Sequence, residues 1–138
     1  MGALGDYLQL ESDLDGQTRE LAILVAAREM DSLFEWILHE PQALKEGLSR
    51  ELIDLVKYGK GTTGLPEKEA VIIRFGRQML GRRKVDSKVF ARALKLFGAR
   101  QIVDLIALMA RYAGLALEMA ALDMQLPPGK EPPLPPLK

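Results

Sequence analysis

The sequence has no cysteine, and only one histidine and one tryptophan. Without a thiol there can be no disulfide framework, no thiolate metal site and no cysteine nucleophile. Nor does either sign of charge dominate. The 19 basic side chains balance 19 acidic ones, so nothing draws the chain as a whole to nucleic acid or to an anionic lipid surface. Long apolar runs are missing too: Arg28, Asp104, Arg111 and Glu118 interrupt the longest, and none reaches the roughly 20 residues a membrane span needs. The opening MGALGDYLQLESDLDG lacks a basic leader followed by an apolar stretch, so no secretory signal is expected. These absences predict a soluble, cytoplasmic protein with neither a membrane nor a nucleic-acid partner. Proline is scarce until the end, with only Pro41 and Pro66 before residue 127.

Much of the remainder is apolar. In 138 residues, 48% are hydrophobic, enough for one core of ordinary domain size. The apolar positions recur every three and four residues rather than alternating, and capping residues stand where helices should begin. Asp15 can cap a helix to about Glu29, whose LAILVAA segment is apolar nearly all round and therefore buried. Asp31 or Ser32 can cap a second, running to Lys45 and closing at Gly47. Ser49 starts a short third, and Pro66 suits the first turn of a fourth because its missing N–H has no helical partner there. Asp86 caps a fifth that Gly98 closes, and a sixth runs from Ala99 to about Met124. The expectation is an all-α bundle of about six helices over residues 15–124, with an N-terminal extension over 1–14. The last segment, 125–138, has six prolines in fourteen residues. It should be an extended tail, either solvated or lying on a neighbouring subunit.

The stretch DSLFEWILHEP at 31–41 carries both the single Trp and the single His. Helical spacing stacks Ser32, Glu35 and His39 on one face, with Trp36 at its border. A carboxylate one turn before an imidazole can accept its N–H, fix its tautomer and favour its charged form, which suits acid–base chemistry. The same spacing also describes an ordinary ion pair on a helix surface, worth only a few tenths of a kcal/mol. Pro41 cannot donate to the carbonyl of Ile37, so the helix is expected to kink or pause just past His39.

The run TRELAILVAAREMDSLFEWILHEPQALKEGLSRELIDLV resembles the carboxymuconolactone decarboxylase family, which includes the alkyl hydroperoxidase D-like proteins. The resemblance rests on a buried helix, then Glu35, Trp36 and His39 of an E-W-x-x-H stretch, then Ala43, and then Gly47, Leu48 and Ser49 opening the next helix. It is sharpest over 19–49 and continues more loosely to about residue 122. It implies an all-helical, alkyl hydroperoxidase D-like fold and a homo-oligomer, whether trimer, hexamer or dimer. The peroxidase branch uses C-x-x-C-x-x-x-H with a glutamate twelve residues before the first cysteine, and at that spacing this chain reads Glu20, Ser32, Glu35 and His39. Both thiols are replaced, so disulfide-cycling peroxide reduction is unavailable. What survives is the carboxylate and histidine framework of the decarboxylase branch, implying acid–base chemistry on a small carboxylated or lactone compound. In this reading His39, Glu35 and Glu20 are the catalytic candidates, and Ser32, Trp36 and Tyr112 the substrate-binding ones. Tyr112 stands where relatives carry a Gly-Tyr-Tyr-Asn-like stretch, although its neighbours here are Arg111, Ala113 and Gly114.

Glu20, Glu35 and His39 also have the donor types of a zinc or iron site. The family pattern calls for no metal, so neither metal nor other cofactor is expected. Between Arg74 and Arg100 lie nine basic residues and one acid, Asp86, a run that could hold phosphate or a carboxylate but more often forms the solvated face of two helices. The alternative to a cysteine-independent lyase or isomerase is a non-catalytic oligomeric or small-molecule-binding member of the same family.

Overall fold

A computed structural model of the chain describes residues 3–6 and 12–137. Residues 1–2, 7–11 and 138 fall outside it, and with them half of the expected N-terminal extension; Ala3–Asp6 forms a single helical turn, α1. The bundle itself consists of α2 (Gly16–Glu29), α3 (Leu33–Lys45), α4 (Arg50–Lys57), α5 (Glu67–Arg77) with a π-helical continuation at Gln78–Arg82, and α6 (Ser87–Ala121). No strand occurs among the described residues, and no helix there is long and apolar enough to cross a membrane. The expected all-α bundle is what is found.

The central element is α2, which packs against α3, α5 and α6 at once. That position follows from its composition. Leu21 through Ala27 are apolar on every side and all are buried, so no orientation of this helix could expose only a polar face. Its start is fixed by Asp15, whose carboxylate accepts the Thr18 N–H at 2.7 Å. Ser49 does the same for α4, accepting from Leu52 N–H at 3.1 Å. The approach of α5 to α2 is close at Gly76, where a β-carbon would come within 2.5 Å of Val25 Cγ1.

Expectation and structure part in several places, the first at the start of α3, where Ser32 holds the cap position without a side-chain bond. Pro41 does not interrupt α3, which runs through it to Lys45. The proline is exposed, so water can satisfy the carbonyl of Ile37, and the turn beyond is held by Ala43, which is wholly buried. Gly98, with φ 79° and ψ 164°, breaks α6 without a connecting loop, so the two expected helices meet directly at 87–97 and 99–121. Asp86 occupies the cap position but caps nothing with its side chain, because Gln78 and Arg82 donate to its carboxylate at 3.1 and 2.9 Å. Finally, the proline-rich tail has no helix or strand but is not free in solvent. Leu134 is buried within the core, and Leu137 lies against Gly59. Two leucines spaced among prolines give an extended segment enough apolar surface to fold back on its own body.

Candidate functional site

Two buried carboxylates and a partly buried imidazole meet where α2 and α3 pack. Glu20 is on the first half of α2, while Glu35 and His39 lie one turn apart on α3. His39 Nδ1 is 2.8 Å from Glu20 Oε2, and Nε2 is 3.4 Å from Glu35 Oε2. The side chains are 15%, 8% and 9% exposed for His39, Glu20 and Glu35 respectively, so water screens these contacts little. Burial alone would depress the imidazole pKa. The hydrogen bonds and charges of Glu20 and then Glu35 outweigh it, raising His39 from 6.5 to about 9. At neutral pH the ring is therefore an imidazolium that donates from both nitrogens. The carboxylates grip opposite edges of the ring, an arrangement that clamps a cation rather than aiming three donors at one metal ion.

Tyr112 comes from the other side of the core. Its ring meets His39 edge to face, with centroids 5.1 Å apart and planes at 87°. The sequence thus placed four candidates, Glu20, Glu35, His39 and Tyr112, in what proves to be one cluster. The other two lie elsewhere. Trp36 is fully buried and its indole N–H donates to Glu40 at 2.5 Å, making it part of the core. Ser32 is buried one turn before Glu35 and lines a cavity beneath the tail.

Among the described residues, neither of two prominent cavities is lined by Glu20, Glu35 or His39. One of about 480 Å³ lies between the start of α3, the end of α6 and the tail. The other, about 240 Å³, lies between the start of α2 and α5. Sequence reasoning missed two features here. Glu40 joins Trp36 to Arg50 and Lys57 of α4, at 3.3 and 3.8 Å, and only its i,i+4 spacing from Trp36 hinted at this. The larger cavity depends on the folded-back tail, for which the local pattern carried no signal.

The family model described as the carboxymuconolactone decarboxylase family matches residues 1–73. Glu20, Glu35 and His39 fall within that span, while Tyr112 lies beyond it. No curated protein and no solved structure matches the chain. With just over half of its length matched, and with α2 and α3 inside the match, the chain belongs to the carboxymuconolactone decarboxylase family.

Proposed function

We propose that this protein is a cysteine-independent lyase or isomerase acting on a small carboxylated lactone, with His39 as its proton donor. The observation that carries this reading is the paired carboxylate clamp, which keeps the imidazole charged at neutral pH. Glu20, at 2.8 Å, fixes the ring through Nδ1. Nε2 has the longer contact, 3.4 Å to Glu35, and is the nitrogen a substrate can compete for. In a decarboxylation the bond between carbon and the carboxylate breaks and CO₂ departs. The electron pair moves into the conjugated lactone, and the resulting carbanion takes the Nε2 proton at carbon. Water returns that proton to the imidazole. Tyr112 packs the ring against rotation.

A neighbouring copy of the chain would complete the site. Leu38, beside His39 on α3, is 61% exposed, and Val103 and Leu117 of α6 are also largely exposed. A second subunit covering Leu38 would wall the cluster and exclude water from it. The test is a screen of carboxylated lactones for CO₂ release with the purified protein, paired with sedimentation. The reading expects an oligomer in which His39→Ala abolishes turnover and Glu35→Gln weakens it. A stable monomer at micromolar concentration that turns over no such compound would refute it.

A second reading, a non-catalytic small-molecule-binding member, is favoured by the position of the two cavities, both away from His39. Under it, a lactone screen returns nothing while ligands still bind.

A further inference from the structure

The cavity under the tail, open to solvent on one side, sets apolar side chains beside an unspent set of hydrogen-bond donors. Ser32 occupies the cap position of α3 but caps nothing, and its hydroxyl has no partner among the described residues. It is only 8% exposed, and it lines the cavity. Its oxygen is not among the buried atoms left without a partner, so it is reached from the cavity and is free to bond a molecule held there. The backbone agrees. The first intrahelical bond of α3 runs from Trp36 N–H to Ser32 C=O at 3.1 Å, which leaves the N–H groups of Leu33, Phe34 and Glu35 ahead of it without helical acceptors. Those groups and the helix dipole favour an anion.

The charges around the cavity are consistent with that. Lys130 of the tail is its one basic lining residue. The one acid in the lining, Asp31, is engaged elsewhere, with Arg28 donating to its carboxylate at 3.0 Å. Most of the other lining side chains are apolar, Phe34, Met119, Met124 and Leu126 among them, and methionines adapt to varied shapes. A volume of about 480 Å³ lies within the range of small-molecule sites.

We propose that the cavity between α3, α6 and the proline-rich tail binds a small apolar monocarboxylate, its carboxylate held by the Ser32 hydroxyl and the first-turn N–H groups of α3 and its hydrocarbon part lying on the apolar side chains beneath the tail. The tail supplies both a wall and, through Lys130, a charge. Binding requires no turnover, so the proposal stands whether or not the His39 cluster is catalytic.

Octanoate and its neutral counterpart 1-octanol are titrated separately into the isotopically labelled full chain, with backbone amide shifts as the readout. The expected result is saturable octanoate binding, with the largest shifts at Leu33, Phe34, Glu35 and tail residues 124–132, and affinity for octanol at least ~10-fold weaker. Ser32→Ala should weaken octanoate about 10-fold and leave octanol unchanged, the loss of one hydrogen bond to a charged group. It should do so without unfolding, since the side chain makes no capping bond. Lys130→Gln, at an exposed position, should weaken octanoate by about 3-fold. No shift at millimolar octanoate, shifts confined to another region, or octanol bound as tightly as octanoate would each overturn the assignment.

Discussion

Raising the pH from 6 to 10 should remove a defined portion of this protein's stability, and His39 is the reason. Its pKa is about 9 in the folded protein against 6.5 for an unperturbed imidazole. Between those values the folded state holds a proton that the unfolded state has released, so stability falls as pH rises. The contribution is fully present below 6.5 and is lost as the pH passes through about 9. At ~1.4 kcal/mol for each pH unit between the two values, the loss is about 3 kcal/mol, a large part of a small domain's total. The assay is urea unfolding at several pH values for the wild type and for His39→Gln, which retains polarity but cannot titrate. Because this is the chain's only histidine, the difference between the two curves isolates the effect, and imidazole NMR reports the pKa directly. The wild-type curve should fall by about 3 kcal/mol relative to the variant over this range. Parallel curves, or an imidazole titrating near 6.5, would refute the carboxylate clamp itself.

Gly76→Ala should destabilise by about 1–3 kcal/mol in chemical denaturation, because the added methyl meets Val25 at the packed contact between α2 and α5, where a stiff β-branched side chain cannot step aside. Unchanged stability would show that the helices can separate there at no cost. Leu134→Ala should cost about 2 kcal/mol and raise protease sensitivity in the tail, since a buried leucine pins that segment to the core; a tail equally resistant in the variant would remove Leu134 as its anchor. Purified protein should show no thiol-dependent peroxidase turnover above buffer, for want of any cysteine, and turnover that survives removal of contaminating redox proteins would contradict this.

Most of the bundle was legible because its signals are local. The Asp15 and Ser49 caps form the bonds their residue types allow, and the uniformly apolar core of α2 forces the helix to the centre of the fold. The Glu35–His39 pair was also legible, since it depends only on the pitch of one helix. The 2.8 Å bond from His39 to Glu20 is another matter, because it crosses between helices and spacing alone could not supply it. It was anticipated only through a family pattern that carries tertiary information. Where the sequence misled, the competing force came from outside the local window. Ala43 holds α3 together past Pro41, and Leu134 draws in a tail that composition alone would leave in water.

Ser32 and Glu35 stand at the spacing of the peroxidase branch's thiols, and that resemblance implies more than the loss of a redox reaction. A thiol pair must stay close to form its disulfide, and a histidine beside it serves chiefly to take a proton from sulfur. A carboxylate at the second position reverses that demand, because it stabilises the imidazolium instead of receiving its help. The serine at the first position makes no capping bond and leaves a free donor in the lining of the cavity beneath the tail. Two turns of α3 thus separate the two proposed capacities, hydrogen-bond donation to an anion at Ser32 and proton donation at His39, with Glu35 between them in the sequence. A monocarboxylate seated at Ser32 would bring negative charge to the N-terminal end of the helix face on which Glu35 and His39 lie, and so would raise the proton affinity of the imidazole further. An upward shift of the His39 pKa on adding octanoate would therefore show the two places coupled, and an unmoved pKa at saturation would show that they act separately.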